Sequence, residues 1–510
     1  MFAKVLSGTL NGLDAEVIRV EVDLANGLPS LQIVGLPDLS VRESKERIRA
    51  AISNSGYKFP AKRITINLAP ANTKKEGTQF DLPIAVGILA ATGAIRQDAM
   101  KSYAFVGELS LDGRIRGIRG ALPLVMGLRN KGVTAMLLPS ANAAEASVID
   151  GVHLYPVRHL TEVVDFLLGN NDLANYVPET RAQFDQKLIS EDFSDVSGQE
   201  TIKRALQIAA SASHNVLMIG PPGSGKTMMA RRIAGILPDL TYEEKLEVTK
   251  IYSVAGELSS KRPVISERQF RAPHHTITAS ALVGGGHSPK PGEVSLSHHG
   301  VLYFDELPEF NRNILELLRQ PMEDEKITIA RSGGIITFPS RFMFVASMNP
   351  CPCGYFGDIT HECTCSMGQV HNYMAKISGP LFDRLDLHLE ILPVPYQALT
   401  RSPVGRTSAE MRKEVEAARQ IQLERYIKET ISYNSQLTPA MLRKYCVIDK
   451  ATRDLMEHAF ERLSLSARAY NKIIKLARSI ADLAGVEQIQ LTHVAEAIQY
   501  RSLDKKYRGL

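Results

Sequence analysis

The octapeptide Gly220-Pro221-Pro222-Gly223-Ser224-Gly225-Lys226-Thr227 restricts this chain more than any other stretch. It follows the apolar run 216–219 and leads into 228–234, so it reads as strand, glycine loop and helix, the setting a phosphate-binding loop requires. Glycines at 220, 223 and 225 let backbone N–H groups turn inward toward phosphate oxygens, and the helix N-terminus adds partial positive charge. In that geometry Lys226 reaches the β and γ phosphates and Thr227 offers its hydroxyl to magnesium. Further on, the apolar strand 300–304 ends in Asp305 and Glu306. Asp305 is placed to hold magnesium through water, and Glu306 to orient and activate an attacking water. Together the two elements predict hydrolysis of ATP.

At 510 residues the chain exceeds what one hydrophobic core supports, so two to four domains are expected. Its 44% apolar and 23% charged residues are an ordinary globular composition. No apolar run reaches the roughly 18 residues of a membrane span, and Met1-Phe2-Ala3-Lys4-Val5 lacks a secretory apolar segment. The expected location is cytoplasmic, with no membrane partner. A formal charge of +5 permits contact with nucleic acid, which a basic patch rather than the total would carry.

Residues 1–170 read as a mixed α/β domain. Alternation over 15–24 suggests a strand with one wetted face, followed by a turn at Gly27-Leu28-Pro29 and a strand at 31–34. A charged amphipathic helix over 40–55, a strand over 63–68 and an apolar helix over 82–93 come next, then a hairpin turning at Asp112-Gly113. A helix over 121–130 and a strand over 135–139 complete it. Residues 171–192 form a polar connector; residues 193–394 form the ATPase core, where Val196 and Gly198 can line an adenine pocket. Residues 395–510 form a helical C-terminal domain.

Within the core, 271–299 reads as loop and carries His274, His275, His287, His298 and His299. These fit satisfied or exposed histidines, a pore or nucleic-acid loop, or a metal site, although no helical H-x-x-x-H spacing is present. Residues 327–338 have the form of a β-hairpin turning at Ser332-Gly333-Gly334. The strand after it ends at Asn349, which can position the lytic water opposite Glu306. Four of the five cysteines then fall within 15 residues, as Cys351, Cys353, Cys363 and Cys365. Four thiolates can close a tetrahedral structural zinc shell over 351–365, while reduced thiols and an iron–sulfur cluster stay open. Cys446 reads as a small buried hydrophobe. Arg384 is a candidate to point across a subunit interface at a neighbour's γ-phosphate, and Arg468 to enter the nucleotide pocket of its own protomer.

The order of elements in 1–170 resembles the ribosomal-S5-type fold of the Lon protease domain. Where Lon-like chains read Gly-Pro-Ser-Ala-Gly, this one has Gly77-Thr78-Gln79-Phe80-Asp81, and Gly120-Ala121-Leu122-Pro123-Leu124 replaces the lysine segment. Neither an amide nor a leucine can do serine–lysine chemistry, so a scaffold, subunit contact or docking surface is expected. Residues 220–227, Asp305–Glu306, Asn349, Arg384 and Arg468 resemble the Walker A, Walker B, sensor 1, arginine finger and sensor 2 of an AAA+ ATPase. The stretches 271–276, 291–306 and 350–354 are similar to the magnesium-chelatase-like ComM/YifB family. That resemblance implies a homohexamer using ATP and magnesium, with 270–298 as an insert in helix 2 and 327–338 as a hairpin before sensor 1. It further implies a DNA helicase promoting branch migration during natural transformation or repair, on single-stranded, forked or junction DNA, beside recombination proteins. Arg271, Lys290, Lys326 and Arg331 are the expected phosphate contacts. The alternative is a protein-remodelling or magnesium-chelatase-like metallochaperone ATPase.

Overall fold

The computed structural model describes residues 1–177, 191–259, 261–286, 289–331, 334–358, 361–393, 405–463, 465–501 and 503. His287, Ser332, Gly333 and the stretch 395–403 lie outside the described residues, as does the side chain of Arg331.

The N-terminal part holds strands β1 (Phe2–Asn11), β2 (Asp14–Ala25), β3 (Ser30–Val34), β4 (Arg63–Ala69), β5 (Ala104–Phe105), the ribbon pair β6 (Glu108–Leu109) and β7 (Ile115–Arg116), β8 (Ala135–Pro139) and β9 (His153–Val157). Seven of them make one mixed sheet in the order β3-β4-β2-β1-β5-β8-β9. Along β2 the buried residues Ile18, Val20, Val22 and Leu24 alternate with charged ones, so period-two patterning alone fixes which face is core. The helix Asp81–Ala91 is buried on every side, and the Asp81 carboxylate within it is held by Arg47 Nε at 2.9 Å and Leu109 N at 3.2 Å.

Three strands of this sheet were absent from the sequence reading, the two-residue β5 among them. β1 buries Ser7 and Thr9 among its apolar residues, which blurs the alternation that reveals a strand. β9 contains Pro156, which argues against a central strand, and it lies at the sheet edge, where a proline is tolerated. Within the stretch expected as connector, Asn175 and Tyr176 bond to β9: Leu154 N donates to Asn175 Oδ1 at 2.8 Å, and Tyr176 N to Leu154 O at 2.8 Å.

The central part contains β10 (Val216–Ile219), β11 (Phe270–Arg271), the two-residue strands β12 (Gly284–Gly285) and β13 (Lys290–Pro291), β14 (Val301–Phe304), β15 (Lys326–Arg331), β16 (Gly334–Pro339), β17 (Met343–Met348) and β18 (Leu387–Glu390). Five of these form a parallel sheet in the order β11-β14-β17-β10-β18. Both faces are covered: Val216, Met218, Val345 and Leu387 enter one apolar cluster, while Leu217, Ile219, Phe344 and Ala346 enter another. β15 and β16 pair antiparallel from Lys326↔Pro339 to Arg331↔Gly334, which is the expected hairpin. The insert before β14, expected as loop, is organised instead by the β12–β13 pair, Gly284↔Pro291 and Gly285↔Lys290, and by the short helices Ala279–Val283 and Glu293–Leu296.

The C-terminal helices Ser408–Arg425, Pro439–Tyr445, Lys450–Leu463, Ala467–Leu483 and Leu491–Gln499 continue the first of those clusters. Thr407 and Glu410 close a capping box that starts the first of them, and it packs against Glu200–Ala212 and Lys226–Ile236. Cys446 is buried at the end of Pro439–Tyr445. The N-terminal sheet meets the ATPase through the helix Tyr242–Ala255: Gly120 N donates to Ser253 O at 3.0 Å and Tyr242 Oη to Val148 O at 2.8 Å. Among the described residues no helix is long and apolar enough to cross a membrane.

Candidate active site

Because β10, β14 and β17 run parallel, the loops after them converge at one edge of the sheet. Gly220–Gly225 follow β10, Asp305 and Glu306 follow β14, and Asn349 follows β17. Gly223 and Gly225 take φ of +75° and +88°, backbone that favours glycine and exposes the loop N–H groups. Gly220 packs so closely on Ile391 O that a Cβ there would lie 2.2 Å from it, and Gly220 N donates to Met348 O at 3.2 Å. Lys226 Nζ donates to Gly220 O and Pro221 O, each at 2.8 Å, and to Asn349 Oδ1 at 3.1 Å. Burial lowers the Lys226 pKa, against the pull of Asp305 and Glu306.

Thr227 Oγ1 donates to Asp305 Oδ2 at 2.8 Å, so the two residues expected to flank magnesium are already adjacent. Two further side chains, missed in the sequence, complete this cluster. Ser347 Oγ donates to Asp305 Oδ1, and Tyr303 Oη donates to Ser347 Oγ at 3.0 Å. Burial raises the Asp305 carboxyl, but the hydrogen bonds from Ser347 and Thr227 outweigh it and hold the pKa below its ordinary value. Strand alternation was the available signal, since Ser347 shares a face with Asn349. Glu306 is exposed beside them and holds φ of +53°, a strained backbone of the kind found at functional sites.

Arg384 and Arg468 lie elsewhere. Both line a cleft of about 530 Å³ with Asn215, Arg341, Asp386 and Lys472. Asn215 precedes β10, Arg341 precedes β17 and Asp386 precedes β18, so this cleft opens at the edge opposite the glycine loop. Arg468, expected to enter its own protomer's nucleotide pocket, lines this cleft in the single chain. The helix Ala467–Leu483 packs behind the sheet and delivers Arg468 beside Arg384. Arg384 donates from Nη1 to Pro380 O at 2.7 Å and pairs through Nη2 with Glu323. Asp386 bridges the two arginine-bearing segments, accepting from Lys472 Nζ at 2.8 Å and Asn215 N at 3.0 Å. Burial raises this carboxyl, but Lys472 prevails and holds its pKa far below the carboxylate range.

The four clustered cysteines come together. Cys351 Sγ lies 3.3 Å from Cys353 Sγ and 3.7 Å from Cys363 Sγ, with Cys353 and Cys363 3.6 Å apart, and Cys365 Sγ accepts from Cys353 N at 3.4 Å. Four sulfurs around zinc at about 2.3 Å would stand about 3.8 Å apart, so this donor set fits a closed tetrahedral site. His298 and His299 are buried against one carboxylate, with Nε2 3.1 Å and 2.9 Å from Glu247 Oε2. His298 Nδ1 accepts Arg341 N–H at 2.9 Å, which puts the ring proton on Nε2 and leaves no lone pair for a metal. Burial pushes the His298 pKa down to about 4, so His298 is a hydrogen-bonded, neutral core group.

Of the four expected phosphate contacts, Lys290 and Lys326 are exposed. Arg271 is not available: its Nε and Nη2 grip Glu293 at 2.7 and 2.6 Å, and Nη1 lies 3.2 Å from Glu257. Sequence spacing could not reveal that pairing, because Glu257 and Glu293 reach Arg271 only through the fold of the insert.

A covered parallel sheet, a glycine loop after β10, a strand-end Asp-Glu pair and an asparagine after the neighbouring strand define a P-loop ATPase of the AAA+ type. Family models described as magnesium chelatase subunit ChlI match residues 192–399, 20–142 and, for its C-terminal part, 405–501. The competence protein ComM of Haemophilus influenzae is 43% identical over 506 residues, covering 98% of this chain and 97% of its own. YifB of Escherichia coli is 42% identical over 495 residues, covering 97% and 96%. The 38 kDa magnesium-chelatase subunit of Rhodobacter capsulatus is 28% identical over 177 residues, 31% of this chain and 50% of that one. The chain belongs to the ComM/YifB family of magnesium-chelatase-like ATPases. It is an ATP-hydrolysing enzyme that takes its nucleotide with magnesium.

Proposed function

We propose that this chain forms a homohexamer in which ATP hydrolysis at shared interfaces moves DNA. One protomer binds nucleotide with Gly220–Gly225 and Lys226, holds magnesium with Thr227 and Asp305, and activates water with Glu306 and Asn349. Bound magnesium supplies positive charge at the β and γ oxygens. The neighbour inserts Arg384 and Arg468 from its opposite sheet edge, which supports a role in trans for both. Lys226 leaves the loop carbonyls and Asn349 to reach the γ-phosphate, freeing the asparagine to orient water.

The observation that carries the DNA reading is the β15–β16 hairpin. It buries Ile327, Ile329 and Phe338 toward the core, leaves Lys326 and Thr328 exposed, and links the strand of Asp305 to that of Asn349. A lever rooted between those strands can follow the state of the nucleotide. Lys290, Lys326 and Arg331 then contact backbone phosphates of single-stranded, forked or junction DNA, as branch migration in transformation or repair with recombination proteins requires. The N-terminal domain is read as a non-proteolytic S5/Lon-type scaffold, in which Gln79 Nε2 donates to Glu76 O at 2.7 Å. The four cysteines are read as one structural zinc site.

A second reading, a chelatase-like remodeller of a partner protein, has its own support. The family models all describe ChlI, and Arg271 is locked in ion pairs rather than offered to phosphate. Displacement assays on forked and four-way DNA, beside DNA-stimulated ATPase at low salt, separate the two. The DNA reading expects ATP-dependent displacement that Lys326→Ala plus Arg331→Ala abolishes while hexamers persist. A verified hexamer that neither binds nor moves any DNA structure would leave the remodelling reading in its place.

A further inference from the structure

The cysteine knuckle touches the phosphate loop. Asn349, which accepts from Lys226, is separated from Cys351 only by Pro350. Cys351 O then accepts Gly354 N–H at 3.0 Å and closes a tight turn through Pro352 and Cys353. Gly354 takes φ of +91° and lies flat against the loop: a Cβ there would stand 2.6 Å from Pro222 Cδ and 2.8 Å from Cγ. The phosphate loop is thus held at its base by Gly220 N on Met348 O and at its crown by the knuckle. Within the knuckle, Phe356 N donates to Cys351 Sγ at 3.3 Å and Cys353 N to Cys365 Sγ at 3.4 Å, the backbone bonds that thiolate ligands accept.

Thiols themselves are weak donors and weak acceptors, and thiolates at these separations repel one another. A cation among the four sulfurs is what can hold the Cys351–Gly354 turn against Pro222. Metal and nucleotide then stabilise the same loop geometry, and whatever factor one adds to the affinity of the other must be returned in equal measure.

We propose that metal binding at Cys351, Cys353, Cys363 and Cys365 is coupled to nucleotide binding at the phosphate loop through the Gly354–Pro222 contact. The knuckle is a metal-dependent brace of the ATP site, beyond any general stabilisation of the fold. This rests on the reading of the four cysteines as a zinc site.

The test uses untagged full-length protein. Elemental analysis is expected to give about one zinc per chain. Transfer of that zinc to a chromogenic chelator is then timed with and without ADP or a non-hydrolysable ATP analogue. Nucleotide is expected to slow the transfer about tenfold, and stripped protein to bind a fluorescent ADP about tenfold more weakly until zinc is restored. Pro222→Ala is expected to retain zinc and, at ADP concentrations that saturate the variant by its own measured affinity, to lose both effects, which a purely structural zinc would not predict. Stoichiometric zinc with transfer and affinity indifferent to each other overturns the coupling and leaves the zinc reading standing. Protein that holds no metal overturns both. Should stripped protein aggregate, the chelator competition on loaded protein still decides.

Discussion

The two edges of the ATPase sheet were built in different ways. At the edge where β10, β14 and β17 end, each functional residue sits in a loop directly continuous with its strand: Lys226 and Thr227, Asp305 and Glu306, Asn349. At the opposite edge the cleft is assembled from distant segments, with Arg384 before β18 and Arg468 on a C-terminal helix, joined through Asp386 and Lys472. The four residues of β10 alone separate the edges by about 13 Å at 3.3 Å per residue. An arginine at the far edge is separated from its own chain's glycine loop by the length of the sheet, which is why the proposed function assigns it to a neighbour's nucleotide.

The largest effect is expected where the comparison is simplest. Glu306→Gln should lower ATP turnover by about 10²–10⁴-fold while nucleotide binding persists, because the base is lost and the phosphate loop is not. Equilibrium binding beside steady-state hydrolysis reads both. Next, Arg468→Ala protein mixed with Lys226→Ala protein should recover activity that neither has alone, since some interfaces combine an intact loop with an intact arginine. Mixed rings that stay inactive, under conditions where Arg384→Ala mixtures recover, would return Arg468 to its own protomer.

Asp386→Asn sharpens the contrast further. Breaking a buried pair costs about 3–5 kcal/mol, visible as an earlier denaturation midpoint. In assembled protein the same change should lower turnover more than nucleotide affinity, because only the far edge is loosened.

The smallest expected effect lies at the contact with the N-terminal domain. Glu145 is buried near Ser253, accepts from Asn142 Nδ2 at 2.6 Å, and burial pushes its pKa up to about 7. The folded state holds that proton where the unfolded chain, with an ordinary Glu pKa near ~4.5, has released it. Stability therefore falls as pH rises from about 4.5 to about 7, by roughly 3 kcal/mol in all. Glu145→Gln should raise the unfolding midpoint at pH ~8 and leave it nearly unchanged at pH ~4.5. His298, with its pKa pushed down to about 4, contributes the reverse slope below its unfolded pKa, so the variant isolates Glu145.

Much of the nucleotide edge was legible because its chemistry is local. Glycines at fixed spacing, a strand ending in carboxylates and a hairpin with a glycine turn each declare themselves within about ten residues. β1 and β9 were hidden by buried hydroxyls and by an edge proline, both of which weaken the period-two signal. Tyr303 and Ser347 were hidden because each carries ordinary strand chemistry until the sheet sets it beside Asp305.

By itself, then, the sequence determined the nucleotide loop, its candidate magnesium partners and the candidate cysteine ligands, since strand, turn and helix propensities act between near neighbours. Only the tertiary structure decided that Arg468 joins Arg384, that Arg271 is consumed by Glu293 and Glu257, and that Gly354 rests on Pro222. Those outcomes depend on which face of the sheet the C-terminal helices bury and how the insert folds back. Such choices are made by packing between segments far apart in the chain, where residue spacing carries no distance information.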